Sequence, residues 1–141
     1  KPVLKHLDIF KPNQYEAQEL TGIWIKDEQT AKESLDWFLQ QGVKEVIISM
    51  ADRGLLLGTP EKKIWFTHRQ INMENATGGG DSLLGAYVAS RLAGKDPVEA
   101  MKFGISAAVI SIEQDAVRRR NLNTKEVNEK VSQMKIEEKT L

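Results

Sequence analysis

The stretch Val43-Lys44-Glu45-Val46-Ile47-Ile48-Ser49-Met50-Ala51-Asp52-Arg53-Gly54-Leu55-Leu56-Leu57-Gly58-Thr59-Pro60-Glu61-Lys62-Lys63-Ile64-Trp65-Phe66-Thr67 decides the fold. Val43 to Met50 is short and rich in β-branched residues, which predicts a strand. Gly54 to Gly58 predicts a second strand, Thr59 to Lys62 a turn, and Lys63 to Thr67 a third strand that returns antiparallel. Upstream, Leu7 to Phe10 is an apolar run halted by Lys11-Pro12, as a buried strand would be. Asn13 can cap a helix that carries Glu16 in its first turn and stops at Gly22. A second helix opens at Asp27, keeps Ala31, Leu35, Phe38 and Leu39 at helical spacing, and ends at Gly42.

Downstream of the three strands comes Asn75-Ala76-Thr77-Gly78-Gly79-Gly80-Asp81-Ser82. A helix follows it with Leu84, Tyr87, Val88 and Leu92 on one face, closed by Gly94. Pro97 suits the first turn of the next helix, whose Val98, Met101, Ile105, Ala108, Val109 and Ile112 step by three or four. A last helix starts near Thr124 with Val127, Val131 and Met134 as a thin stripe, and the polar KIEEKTL is expected to fray. Strands alternating with helices predict an α/β fold: three layers, a mainly parallel sheet and helices on both faces, with an antiparallel addition from Gly54 to Thr67.

Composition narrows the function classes. The 141 residues suit one modest domain, and 40% hydrophobic with 28% charged residues is ordinary for a globular chain. Twenty basic residues balance twenty acidic ones, so nothing calls for nucleic acid or an anionic membrane as partner. Without cysteine there is neither disulfide nor thiolate metal site, which agrees with a cytoplasmic location. No apolar run reaches the roughly 18 residues that a membrane span needs. The opening KPVLKHLDIF is not a signal peptide. The chain starts at Lys1 and runs almost at once into a strand, so it reads as a piece of something longer.

Three constellations carry chemistry. Glycine loses the most entropy on ordering, so a run of three at a helix start needs a compensating use. Without Cβ atoms, the N–H groups of Gly78, Gly79 and Gly80 can converge on one point, and the helix behind them adds about half a positive charge. That suits a phosphate or a transferring phosphoryl group. Asp81 beside such a site would repel the anion unless it served to accept a proton from an attacking hydroxyl. The alternative is a plain loop whose Asp caps the helix. The loop lacks the GxxxxGK[ST] lysine and the GxGxxG spacing, which excludes a Walker loop and disfavours a Rossmann dinucleotide site. Asn13 and Glu16, three apart at a helix start, could hold a hydrated Mg²⁺, or they could simply cap each other. Ser49 to Gly54 ends a strand in a small-residue turn, where α/β sheets place ligands, or it is an ordinary connection.

Together these segments resemble the PfkB (ribokinase-like) carbohydrate kinase family. Lys11-Pro12-Asn13-Gln14-Tyr15-Glu16 is similar to its KPNxxE segment, Ser49 to Gly54 to its (T/S)LGxxG turn, and Asn75 to Asp81 to its (D/N)TxGAGD signature. The resemblance spans nearly the whole chain, in family order. It implies the C-terminal part of a ribokinase-like fold and phosphoryl transfer from ATP to a hydroxyl of a sugar or nucleoside. It implies Asp81 as catalytic base and the amides of Gly78, Gly79 and Gly80 as the anion hole. Asn13 and Glu16 would organise Mg²⁺ and its waters. Ser49, Ala51, Arg53 and Gly54 would line the phosphates and ribose, with adenine against the start of the helix around Phe103 to Ser106.

The departures from the family pattern are informative. Gly79 replaces an alanine. Ala51 stands where the turn usually has glycine, which would weaken or shift ATP binding if that position takes a positive φ. Asn75 replaces an Asp tied to the monovalent-cation variant, which speaks against K⁺ dependence. Glu113-Gln114-Asp115-Ala116-Val117 replaces a small-residue turn. The sugar-binding half and its lid have no counterpart in the 141 residues, so residues 1–141 are expected to be the nucleotide-binding part alone and inactive by themselves. The parent would be a homodimer. Asn75, KPNQYEAQELTG and ISIEQDAV resemble pseudouridine kinase-like members, while Asn75 and Ser82 also resemble the branch that phosphorylates sugar phosphates. A nucleotide-binding module without turnover is the remaining alternative. Arg118 to Arg120 are read as a solvated basic turn, His6 and His68 as structural, and Trp24, Trp37 and Trp65 as packing residues, with Trp65 and Phe66 also placed to flank a base.

Overall fold

The computed structural model describes residues 8–67, 79–114 and 136–141, with the backbone alone at 79–82 and 109–114. The chain forms two compact units, residues 1–67 with 137–141, and residues 68–136.

The first unit holds β1 (Ile9–Phe10), α1 (Gln14–Thr21), α2 (Glu28–Gln40), β2 (Glu45–Ser49), β3 (Leu55–Gly58), β4 (Lys63–Thr67) and β5 (Glu137–Thr140), with a 3-10 turn at Ala51–Arg53. The five strands form one sheet in the order β1-β2-β3-β4-β5. β1 and β2 run parallel, with Ile9 opposite Glu45. β2–β3, β3–β4 and β4–β5 are antiparallel. The α/β expectation holds, and the hairpin from Gly54 to Thr67 is present. Among the described strands, however, antiparallel pairings outnumber the parallel one. The connection between β1 and β2 is a long crossover that contains α1 and α2, as a parallel pair requires.

Both helices start and stop on local chemistry. The Asn13 side chain accepts the Glu16 N–H at the start of α1, and Gly22 closes that helix at φ 75°. Asp27 does the same for α2 by accepting the Thr30 N–H. Each cap satisfies donors that a helix end otherwise leaves without partners. Ala17 of α1 and Ala31, Leu35 and Phe38 of α2 pack with Val46, Ile48 and Leu56 on one face of the sheet. Phe10 meets Phe38 at 5.6 Å between ring centroids. Burying a side chain such as Phe38 contributes about 1.5–3 kcal/mol. The alternate residues Ile47, Leu55 and Leu57 are fully buried as well. Lys63 reaches Asp36 at 3.0 Å and ties β4 to α2.

The C-terminal stretch departs from the expectation of fraying. Glu137–Thr140 pairs with β4, Ile64 facing Thr140 and Thr67 facing Glu137. Its side chains are exposed, so pairing depends on main-chain hydrogen bonds and on the Lys139–Glu28 ion pair rather than on apolar burial. A polar pattern hides such an edge strand from periodicity arguments.

The second unit contains α3 (Gly79–Leu92) and α4 (Pro97–Gln114), which pack against each other. Leu83, Tyr87 and Ser90 are buried on α3, whereas Leu84 is partly covered and Leu92 is 84% exposed. The buried row thus steps from Leu83 rather than from Leu84. α3 is apolar around much of its girth, and the small Ser90 continues the row Leu83–Tyr87 at helical spacing. On α4, Met101, Ile105 and Ala108 are buried as expected. Gly104 lets the helices approach: a Cβ there would lie 2.9 Å from the Leu83 carbonyl oxygen. The expected helix from Thr124, residues 75–78, His6, His68 and Arg118 to Arg120 lie outside the described residues, as do the side chains of Val109 and Ile112.

Candidate active site

β1 ends at Phe10 and the chain passes through Lys11-Pro12 to Asn13. Asn13 is extended (φ −83°, ψ 174°), which turns its side chain back over α1. Asn13 Oδ1 accepts the Glu16 N–H at 2.8 Å, and Glu16 Oε1 accepts the Asn13 N–H at 2.9 Å. The two residues therefore form a capping box, the simpler reading of their spacing. The box occupies one oxygen of each residue. It leaves Glu16 exposed and its Oε2 outside the box. An ion stripped of water and chelated by both groups would compete with two N–H donors and face the positive end of the helix. A hydrated Mg²⁺ held through its waters fits, because that ion keeps several waters beside substrate phosphates. Among the described residues no group of three or more His, Asp or Glu could hold a metal on protein ligands alone.

The parallel pairing of β1 and β2 continues as a bridge between Asn13 and Ser49, in which the Ser49 N–H donates to the Pro12 carbonyl at 3.1 Å. Two of the three segments singled out in the sequence thus meet at the carboxyl ends of adjacent parallel strands, where α/β sheets bind ligands. After Ser49 the chain closes a tight turn. The Met50 N–H donates to the Gly54 carbonyl at 2.9 Å, and the Arg53 N–H donates to the Met50 carbonyl at 2.9 Å. Ala51 sits at φ 52°, the one non-glycine residue with a positive φ among the described residues. The condition attached to Ala51 in the sequence is therefore met, and this position costs an L-residue about 1–2 kcal/mol. Gly54 is obligatory in this turn. At φ 100°, a Cβ on it would lie 2.0 Å from the Phe66 carbonyl oxygen.

The Arg53 side chain is bound by the protein itself. Its guanidinium is engaged from behind the turn: Nη1 donates to the Ile25 carbonyl at 2.7 Å, Nη2 donates to Gln14 Oε1, and the group lies 5.4 Å from the centre of the Trp24 ring. Its own carbonyl accepts the Trp65 indole N–H at 2.7 Å. Trp65 is thus tied to the turn from β4, and Phe66 is fully buried. Both take part in packing. Trp24 stacks on Tyr15 at 5.9 Å, and both are exposed. Gln14, 5% exposed at the first position of α1, had no mark in the sequence. It occupies a variable place inside KPNQYE, and only the fold reveals that Arg53, far along the chain, reaches it.

In the second unit, Gly79 and Gly80 form the start of α3. The N–H groups of a first turn have no acceptor within their helix, so they are available to an anion. Gly78 and the Asp81 side chain lie outside the described residues. Ser106 donates its hydroxyl to the Lys102 carbonyl at 2.9 Å and is fully buried. Its hydroxyl is thus turned to its own helix. Phe103 to Ser106 lie within α4, whose first turn is at Pro97, and Lys95 Nζ stands 4.7 Å from the centre of the Phe103 ring. The first unit also holds a cavity of about 580 Å³ lined by Asp27, Glu28, Trp65, Glu137 and Lys139 among others. Its carboxylates disfavour a phosphate. Asp27 is held below the ordinary carboxylate value by the Thr30 N–H and hydroxyl. No helix among the described residues is long and apolar enough to cross a membrane.

Comparison with known proteins places this geometry. The chain is 28% identical over 128 residues to a ribokinase of Staphylococcus aureus (strain COL), covering 90% of this chain and 42% of that protein. It is 26% identical over 113 residues to the pseudouridine kinase of Escherichia coli (strain K12), covering 78% and 36%. The structure of Arabidopsis thaliana ribokinase complexed with ribose and ATP superposes with a TM-score of 0.76 at 23% identity, over 92% of this chain and 42% of that one, which establishes the fold. The chain thus spans about two-fifths of the length of these relatives. The model of the pfkB family carbohydrate kinases matches residues 1–124. With that match over most of its length, and with Asn13, Glu16 and the turn after Ser49 gathered at one sheet edge, the chain belongs to the pfkB family of carbohydrate kinases.

Proposed function

We propose that this chain is the nucleotide-binding, catalytic part of an ATP-dependent kinase that phosphorylates a hydroxyl of a sugar or nucleoside, with pseudouridine-like nucleosides as the preferred acceptor class. The observation that carries the reading is the bridge between Asn13 and Ser49, which joins the metal-organising helix start to the nucleotide turn. In this reading the Asp81 carboxylate takes the proton of the acceptor hydroxyl, whose oxygen attacks the γ-phosphorus as the bond to the ADP oxygen breaks. The amides of Gly78, Gly79 and Gly80 receive the negative charge on the transferring group. The main chain from Ser49 to Gly54 receives the nucleotide phosphates. Asn13 and Glu16 orient the waters of Mg²⁺, which when bound offsets charge on the phosphates.

The acceptor pocket and the dimer contacts lie outside residues 1–141 in this proposal, and the protein works in the cytoplasm. K⁺ is not required, because Asn75 stands at the cation-linked position. Ser82 beside Asp81 keeps a phosphosugar acceptor as the competing class.

The test uses the full-length protein with Mg-ATP and a panel of nucleosides, sugars and sugar phosphates, following ADP release. Asp81→Asn should lower turnover by about 10²–10⁴-fold while ATP affinity holds. The strained Ala51 favours one second reading, a nucleotide-binding module without transfer. ATP binding with no turnover on any acceptor would select it.

A further inference from the structure

The main chains leading into the turn at Met50 to Gly54 and the box at Asn13 to Glu16 are joined by the Ser49 N–H donating to the Pro12 carbonyl. A second link runs through side chains. Arg53 is fixed at both ends: its carbonyl holds the Trp65 indole on β4, and its guanidinium spans Gln14 Oε1 and the Ile25 carbonyl. Gln14 directly follows the helix cap Asn13 and is buried. Trp24 closes over the guanidinium, with Tyr15 stacked on its ring. A planar fork that satisfies two acceptors at once fixes distance and angle together, which a lysine ammonium cannot do.

We propose that Arg53 is a positioning residue that couples the nucleotide turn to the metal-orienting start of α1, so that ATP and Mg²⁺ bind cooperatively through the Arg53–Gln14 strut. This rests on the kinase reading above and goes beyond it. The Arg53 side chain acts without touching the nucleotide. It holds the turn at the spacing from Asn13 and Glu16 that one Mg-ATP must bridge. Coupling of this kind is reciprocal: each ligand gains from the other by the same factor, and removing the strut lowers both gains equally.

The experiment measures ATP affinity of the full-length protein by calorimetry, in EDTA and in saturating Mg²⁺, and takes the ratio. Arg53→Met and Gln14→Leu should each lower the ratio by roughly tenfold, a typical size for coupling between sites. The metal-free affinity of Gln14→Leu should stay within about threefold of the parent. The double variant should lose no more than either single one, since both cut the same link. Gln14→Glu keeps an acceptor oxygen and should retain the ratio, whereas Arg53→Lys should not. Gln14→Leu leaves the Ile25 and Trp24 contacts in place, so it decides the matter if Arg53→Met does not fold. An unchanged ratio in a Gln14→Leu protein that binds ATP, or a parallel loss with and without metal, overturns the strut while the kinase reading stands. A parent protein that binds no ATP in either condition overturns the kinase reading and the strut with it.

Discussion

Replacing Gly54 with alanine tests the geometry of the Met50–Gly54 turn most severely. Gly54 adopts φ 100° and ψ −149°, a region essentially reserved for glycine, where a side chain costs about 1–3 kcal/mol. The added Cβ would lie 2.0 Å from the Phe66 carbonyl oxygen. An ordinary carbon–oxygen approach is about 3.3–3.6 Å, so β3 and β4 must separate by more than about 1 Å where Leu55 faces Phe66. Forcing such a shift in a packed interior costs about 1–3 kcal/mol more. The alanine returns about 0.4–1 kcal/mol by stiffening the unfolded chain. The balance is a loss of about 3 kcal/mol, a large share of the 5–15 kcal/mol that holds a typical domain together.

Gly22→Ala supplies the control. Gly22 sits at φ 75°, and a Cβ on it would meet nothing within 4 Å, so it bears only the left-handed backbone cost, about 1 kcal/mol net. Urea unfolding followed by circular dichroism, with unchanged slope, reads both variants as midpoint shifts. If Gly54→Ala fell within about 1 kcal/mol of Gly22→Ala, the close approach to Phe66 would not be what fixes this turn.

Ala51→Gly should leave the melting temperature nearly unchanged, because relief of about 1–2 kcal/mol of strain is offset by chain entropy and a lost buried methyl. ATP affinity measured by calorimetry should rise roughly three- to tenfold, and an unchanged affinity would clear Ala51 of any effect on the nucleotide. Among the described residues Ser34 Oγ is buried and has no hydrogen-bond partner, so Ser34→Ala should stabilise by about 1–2 kcal/mol in thermal unfolding, and a loss of stability would reveal a hidden partner. Asp27 is held below its ordinary value of 3.8 by the Thr30 N–H and hydroxyl. Its folded pKa is depressed, so its contribution is present above that value and lost as pH falls through the lower folded one. Asp27→Ala should flatten the stability–pH curve below about pH 4, and an unaltered acid slope would contradict the cap.

Local chemistry made most of the first unit readable. Asn13, Gly22, Asp27 and Gly42 bracket two helices, and the run from Val43 to Thr67 declares its strands through β-branched residues and a proline turn. Periodicity erred where it was ambiguous, choosing Leu84 over Leu83 on a helix apolar on several sides. It was blind to β5, whose stability comes from main-chain pairing. The site was legible as motifs but not as geometry. Ala51 could be marked from the sequence as a position sensitive to φ, whereas the direction of the Arg53 side chain depends on Gln14, Ile25 and Trp24 converging from distant positions. Ser106 could not be assigned from the sequence either, because a serine within a helix can face a ligand or bond its own turn.

The way β5 rejoins the first unit bears on biosynthesis. Residues 68–136 intervene before Glu137–Thr140 returns to pair with β4, and the Leu141 N–H donates to the Lys63 carbonyl at 2.8 Å. Until that stretch has emerged from the ribosome, Lys63–Thr67 presents unpaired N–H and C=O groups along an open margin, the template on which nascent chains stick to one another. Translational pauses within residues 68–136 would prolong that exposure, and a peptide corresponding to Glu137–Leu141 would be a natural competitor for the vacant margin.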